Sequence, residues 1–219
     1  MKLLIVLSGG MDSSTALALM IATYGKENIE TVTFNYGSKH NDQENIKAQQ
    51  IAEFYGVKNI LVKMPFINKL FESDLLKSGG AVPEGHYADP SMKRTVVPFR
   101  NGIMLSIAAG LAESRKLDAL VLGNHSGDHA IYPDCRREFT DPMSEAIEKG
   151  TYAGIKIIRP FEMMSKTDLC RLGGSLKVPY ELTYSCYKGG EKHCGVCGTC
   201  FERKESFKDS GVQDPTQYS

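Results

Sequence analysis

The chain has 219 residues, 42% of them apolar and 24% charged, which supplies a sizeable core beneath a soluble surface. Its 26 basic residues balance 26 acidic ones, so the basic surplus of a protein that grips long nucleic acid is missing. The length suits one domain with a small appendage, and the early apolar run "LLIVL" is too short for a secretory segment (about 7–15 residues) or a membrane span (roughly 18–20). A cytoplasmic chain with no nucleic-acid or membrane partner is expected.

"KLLIVL" reads as a buried parallel strand, followed by a helix, "SSTALALMIATYG", from about Ser13 to Gly25. "ETVTFNY" is a second strand. "NDQENIKAQQIAEFYG" is a helix that turns Ile46, Ile51 and Phe54 to one side and stops at Gly56. "KNILVK" gives a third strand. From Met64 to Val97 the spread of Pro65, Gly79, Gly80, Pro83, Gly85 and Pro90 marks loop. "RNGIMLSIAAGLAESRK" forms the next helix and "LDALVLG" the fourth strand. "DPMSEAIEKG" follows as a short helix, "IKIIRP" as the fifth strand, and "SKTDLCRLGGS" as another helical turn or two.

Repeated strand–helix units with apolar strands predict an α/β fold, a Rossmann-like parallel sheet with helices on both faces. Residues 1–180 are assigned to this domain, and the cysteine-rich residues 181–219 to a small lobe packed on it. Ligands of such sheets sit beyond the carboxyl ends of the strands. The polar stretches "SGGMDSS", "NYGSKH", "GNHSGDH" and "RPFEMMSK" all follow strands, so they converge on one rim.

The segment Leu7–Ser14, "LSGGMDSS", is the most informative of these. Gly9 and Gly10 let the backbone turn sharply and approach an anion. The first amides of the following helix, near Asp12 and Ser13, point at that anion with the positive end of the helix dipole behind them. Ser8, Ser13 and Ser14 add hydroxyl donors. No lysine of the G-x-x-x-x-G-K-[ST] type is present, and no G-x-G-x-x-G. The loop therefore suits a pyrophosphate held by amides and hydroxyls, with a metal ion shared by Asp12. The plainer alternative is a turn with Ser13 as the helix N-cap.

The C-terminal cysteines have the spacing C-x7-C-x2-C-x2-C: Cys186, Cys194, Cys197 and Cys200. Gly195 and Gly198 allow the chain to bend so that successive thiolates face one point. Four thiolates suit a closed, structural, tetrahedral Zn²⁺ site lying away from the chemistry. A C-x2-C-x2-C run also opens some iron–sulfur patterns, though here without their usual continuation. His193 is read as a surface residue rather than a ligand, and Cys170 as core.

"SGGMDS" resembles the loop of the PP-loop ATP pyrophosphatases, which cut ATP between its α and β phosphates and transfer AMP to a substrate oxygen. "TFNYGSKH", "VPFRNGIML", "IYPDCRREF" and "TYSCYKGGEKHCGVCGTCFER" resemble the 7-cyano-7-deazaguanine synthase family nearly end to end. Met11 stands where glutamine is common and Lys39 where arginine is common. "NHSGDHAIYPDCR" departs from the more frequent "CETDFSGYPDCR". The resemblance implies a C–N-bond-forming ligase of queuosine biosynthesis. Its substrates would be 7-carboxy-7-deazaguanine, ammonia and ATP, with Mg²⁺, one structural Zn²⁺ per chain, and a homodimeric assembly.

On that resemblance, Leu7, Ser8, Gly9, Gly10, Met11, Asp12, Ser13 and Ser14 clamp the departing pyrophosphate. Arg100 and Asn101 reach the phosphate or ribose, and Tyr36 and Lys39 the adenine or phosphate. Asp134 would accept from the N1–H and 2-amino edge of the deazaguanine, and Arg136 would pair with the carboxylate; a surface Asp–Arg pair is the alternative. Lys166 would steady the α-phosphate as charge develops. His125, Asp128 and His129 bind Mg²⁺, handle a proton of ammonia, or simply pack. Cys135 is read as buried and not as a nucleophile. Other readings stay open: a relative that stops at the amide or ligates another amine, a PP-loop tRNA-modifying enzyme, or a non-enzymatic zinc module that binds nucleic acid.

Overall fold

The computed structural model describes residues 1–127 and 131–219; Asp128 and His129 lie outside the described residues. In chain order the elements are β1 (Leu3–Val6), α1 (Met11–Tyr24), β2 (Ile29–Asn35), α2 (Asn41–Tyr55), β3 (Lys58–Lys63), α3 (Pro65–Leu70), α4 (Arg100–Ser114), β4 (Ala119–Val121), α5 (Arg137–Gly150), β5 (Lys156–Ile158), α6 (Lys166–Ser175) and α7 (Gly198–Ser210). The strands form one sheet in the order β3-β2-β1-β4-β5. Every pairing is parallel, with Leu3 opposite Ile29 on one side and Ala119 on the other. This is the α/β parallel sheet expected from the alternating pattern.

Because side chains alternate across a strand, β1 divides its residues between two cores. Leu3 and Ile5 pack with Leu17 of α1, Ile51 of α2 and Leu169 of α6. Leu4 packs on the other face with Leu105 and Ala108 of α4 and Ile147 of α5. Burial on both faces is why β1 is continuously apolar, each such residue contributing roughly 1.5–3 kcal/mol. The chain runs outward from β1 to β2 and β3, then crosses back to β4 and β5 on the other side of β1. A crevice therefore opens where their carboxyl ends diverge.

Several boundaries differ from expectation. α1 starts at Met11, two residues before Ser13. The apolar side assigned to α2 is wrong: Ile46 and Phe54 are 51% and 59% exposed, and the buried stripe is Ala48, Ile51 and Ala52. Small alanines let this helix approach the sheet closely, so the larger side chains face outward. Within the stretch read as loop, Pro65 opens the short helix α3, a position where a missing N–H costs nothing. α5 begins a turn before the expected Asp141, leaving Pro142 inside the helix. α7 goes beyond the helices expected from the sequence, since the cysteines and glycines around it mask its pattern. No helix among the described residues is long and apolar enough to cross a membrane.

Candidate active site and metal centre

At the carboxyl end of β1 the chain turns through Gly9, whose φ is +81°. A side chain there would also meet the α2 backbone at Glu44 and Ala48 within 2.8 Å, so only glycine fits. Gly10 is the N-cap of α1 and no side chain caps that helix. Ser13 therefore sits inside the first turn, which removes the reading of it as a simple N-cap. Instead its hydroxyl lies 3.1 Å from that of Ser8, and the Ser8 hydroxyl accepts the N–H of Gly10 at 3.2 Å. The Ser14 hydroxyl is buried and donates to the Gly10 carbonyl at 2.7 Å, bracing the loop from behind. The uncapped amides of α1 and the Ser8 and Ser13 hydroxyls make a donor-rich, anion-shaped turn.

Asp12 leaves the first turn of α1 and accepts from Lys166 Nζ at 2.5 Å. Lys166 comes from the start of α6, which Ser165 caps by accepting the Asp168 N–H at 3.1 Å. The β4 loop presses on the same turn, where a side chain at Gly123 would come within 2.9 Å of the Asp12–Ser13 backbone. Beyond it lies His125, fully buried, with Nε2 3.4 Å from Lys166 Nζ and 3.9 Å from Asp12 Oδ2. Glu202 of α7 completes the group, 3.4 Å from Lys166 and 3.8 Å from His125. Asp12 Oδ1 is buried without a hydrogen-bond partner among the described residues.

Asp12, Lys166 and Glu202 edge a cavity of about 270 Å³ over the β1–β4 crevice. Leu7, Ser8, Gly10, Met11, Asp12, Ser13, Tyr36, Arg100, Asn101, Asp134 and Lys166 all line it, so most of the expected site residues converge. Apolar walls come from Phe34, Met104, Leu105 and Leu122. Asp134 is 8% exposed, and its Oδ2 accepts the backbone N–H of Asn101 at 2.8 Å. The carboxylate thus anchors the positive end of α4 while facing the cavity. Cys135 is buried beside it and accepts from Asn101 Nδ2 at 3.2 Å. Arg136 is half-buried at the N-cap of α5 and is not among the side chains on the cavity wall. The turn Pro133–Cys135 carries Asp134 and Cys135 inward and leaves Arg136 behind them.

On the opposite wall Arg100 Nη1 donates to the Tyr36 hydroxyl at 3.0 Å, and burial pushes that phenol above its usual range. Lys39 does not join them. Its Nζ donates to the carbonyls of Asp74 and Leu76 at 2.7 and 2.5 Å, tying down the following loop. Two cavity residues here escaped the sequence reading, His40 and Glu44. His40 stacks on Tyr187 with ring centroids 5.3 Å apart, and burial drives its pKa down to about 3. Glu44 accepts from Asn41 Nδ2 at 3.1 Å, and burial raises its pKa to about 8. Their i, i+4 spacing at a helix start was the available signal; nothing local marked Glu202.

The Sγ atoms of Cys186, Cys194, Cys197 and Cys200 lie within 4.8 Å of one another, and Cys194 and Cys200 are 3.9 Å apart. Backbone N–H groups of Cys194 and Cys197 donate to cluster sulfurs at 3.4 Å, which favours the thiolate form. Hydrogen bonds from Cys197 and Cys200 hold the Cys186 thiol well below its ordinary range. The four residues fit a single tetrahedral metal ion. His193 is buried, not a surface residue: its Nε2 accepts the Ser185 N–H at 3.0 Å and burial lowers its pKa to about 4. The cluster also does not stand clear of the cavity, because α7 starts at Gly198, inside it, and carries Glu202 to Lys166.

Residues 2–211 match the family model described as queuosine biosynthesis protein QueC. The chain is 54% identical to a 7-cyano-7-deazaguanine synthase of Porphyromonas gingivalis, over 98% of this chain and 96% of that one. It is 49% identical to a protein of the same name from Desulfotalea psychrophila, over 98% and 97% of the two chains. Among solved structures it resembles the U34-tRNA thiolase NcsA from Methanococcus maripaludis with its [4Fe-4S] cluster. The TM-score is 0.52 at 17% identity, over 95% of this chain and 66% of that one, a likeness of fold.

Proposed function

The chain belongs to the family of queuosine biosynthesis protein QueC, and we propose that it is a 7-cyano-7-deazaguanine synthase. In that role it is an ATP-dependent ligase that turns 7-carboxy-7-deazaguanine and ammonia into the 7-cyano compound. The observation that carries this assignment is the uncapped start of α1, with Asp12 and Lys166 paired at the mouth of a cavity that also holds Asp134.

A carboxylate oxygen of the substrate attacks the α-phosphorus of ATP, and pyrophosphate leaves onto the amides and hydroxyls of Ser8–Ser13. Lys166 steadies the α-phosphate as charge grows. Ammonia then attacks the activated carbon and AMP departs, giving the amide. A second ATP adenylates the amide oxygen, and loss of AMP with the remaining nitrogen protons leaves the nitrile. Both activations occur at an oxygen on the same carbon, so one pyrophosphate clamp serves both. Asp134 reads the N1–H and 2-amino edge of the deazaguanine. Arg100, whose side chain lines the cavity, is better placed than Arg136 to pair with the substrate carboxylate.

Mg²⁺ would be held at Asp12, whose unpartnered Oδ1 suits a hard cation, and would offset phosphate charge. One Zn²⁺ per chain would sit on the cysteines. Zn–S bonds of about 2.3 Å imply sulfurs about 3.8 Å apart, against the 3.9 Å between Cys194 and Cys200. A cluster of several irons spreads its cysteine sulfurs farther. We further take the protein as a cytoplasmic homodimer; the balanced charge supports the absence of a nucleic-acid partner.

The test is mass spectrometry of the products formed from the carboxylate, ammonium and ATP. The nitrile is expected, with AMP and pyrophosphate. An amide as the end product would instead make this a relative that stops halfway. ADP and phosphate would overturn the clamp itself.

A further inference from the structure

Lys166 is shared between two carboxylates from opposite ends of the chain. Its Nζ is 2.5 Å from Asp12 Oδ2 and 3.4 Å from Glu202 Oε2, and all three side chains are mostly withdrawn from solvent. The buried ring of His125 stands between the two acids. Its Nδ1 accepts the Gly127 N–H at 3.1 Å, and its Nε2 faces both carboxylates. Gly127 is held tightly there, since a side chain on it would come within 3.0 Å of His125 and 3.5 Å of Glu202.

The orientation of Glu202 is fixed from both sides of α7. Cys197 is the N-cap of that helix, and Cys200 lies in its first turn. Cys200 and Glu202 are two residues apart, about 200° around the helix, so one faces the thiolates and the other the cavity. Arg203, 1% exposed, pins the next position by donating to Tyr180 O, Thr183 Oγ1 and Ser185 Oγ at 3.1, 2.9 and 3.0 Å. The metal lobe thus holds one carboxylate rigidly over the cation of the ATP site.

We propose that Glu202 is a positioning residue for Lys166, and that the cysteine cluster serves the reaction by presenting it. This rests on the assignment of Lys166 to the α-phosphate. A magnesium ion on the unpartnered Oδ1 of Asp12 would draw charge from that carboxylate and weaken its hold on Lys166 through Oδ2. Lys166 would then depend less on Asp12 for its position. Glu202 then keeps the ammonium at the cavity edge, so it meets the phosphate without first being gathered from a disordered set of rotamers. A glutamine has the same shape without the charge and would not do this.

The experiment compares Glu202→Gln, Lys166→Gln and the double variant in pyrophosphate release, with metal content and melting temperature measured on each. Glu202→Gln should lower kcat roughly 10- to 100-fold, as for a misplaced active-site group, and change KM for ATP by less than about threefold. It should keep one metal ion per chain, and Glu202→Asp should recover part of the loss. The double variant should be no slower than Lys166→Gln alone, because Glu202 acts only through that lysine. Three results would overturn the proposal: kcat within about twofold of wild type for Glu202→Gln, losses that multiply in the double variant, or loss of metal or fold in Glu202→Gln. If the wild-type protein releases no pyrophosphate with the carboxylate and ammonium, the proposed function fails instead, before any variant is compared.

Discussion

Asp134→Asn separates the structural role of this carboxylate from the base-reading role proposed for it. Its Oδ2 accepts the Asn101 N–H at 2.8 Å, at the positive end of α4, and the residue is only 8% exposed. An asparagine oxygen can still accept that N–H, so the structural loss is the charge-assisted part of one bond plus the dipole contribution, about 1 kcal/mol. For a chain of this size that lowers Tm by about 2–4 °C. Alanine removes the acceptor and leaves a buried N–H, costing about 1–3 kcal/mol and lowering Tm by up to roughly 10 °C. The catalytic effect should run differently. If Asp134 also accepts from the N1–H and 2-amino groups of the deazaguanine, asparagine presents an NH₂ donor where an acceptor is needed. The loss in kcat/KM should be about 2–3 kcal/mol, roughly 30- to 150-fold, and mostly in KM for the deazaguanine. Steady-state kinetics and thermal melts on both variants decide. A lowered Tm with wild-type kcat/KM would reduce Asp134 to a helix anchor and refute the base-reading role.

Asp12→Ala should abolish release of AMP and pyrophosphate while the melting curve stays close to wild type, since the residue lies on a partly exposed turn; near-normal turnover in saturating Mg²⁺ would refute the clamp. Gly9→Ala should cost on the order of 1–3 kcal/mol in stability, seen in denaturant unfolding, because it places a side chain at φ +81° and 2.8 Å from the α2 backbone. Glu44 has its pKa raised from 4.5 to about 8 in the fold, so folding favours its protonated form. It therefore removes stability as pH rises from about 4.5 to 8, and Glu44→Gln should gain Tm relative to wild type across that window; a pH-independent difference would contradict the burial argument. Cys197→Ala should lower soluble yield and bound metal together, as a thiolate cage stabilises the ordered form by on the order of 10 kcal/mol in small zinc modules. Elemental analysis should find zinc, and iron with a visible charge-transfer band would refute that choice.

The sequence by itself determined the parallel sheet, because strands buried on both faces must be continuously apolar and their connecting helices amphipathic. It also determined the glycine turn at the start of α1 and the four-cysteine cluster, since both are built from neighbours in the chain: a turn needs its glycines adjacent, and a C-x2-C-x2-C run brings its own sulfurs together. Tertiary structure alone decided the rest. Lys166 and Asp12 are 154 residues apart and meet only because α6 and α1 pack on one face of the sheet. Glu202 carried no local mark, as its role depends on the direction α7 takes out of the cysteine cluster. The same limit explains the misassignments. Lys39 and Arg136 sit in the right segments, but which way a side chain turns out of a loop is set by distant carbonyls and neighbouring turns. Ile46 and Phe54 face solvent because α2 meets the sheet through Ala48 and Ala52, a close approach that the apolar pattern of one helix does not contain.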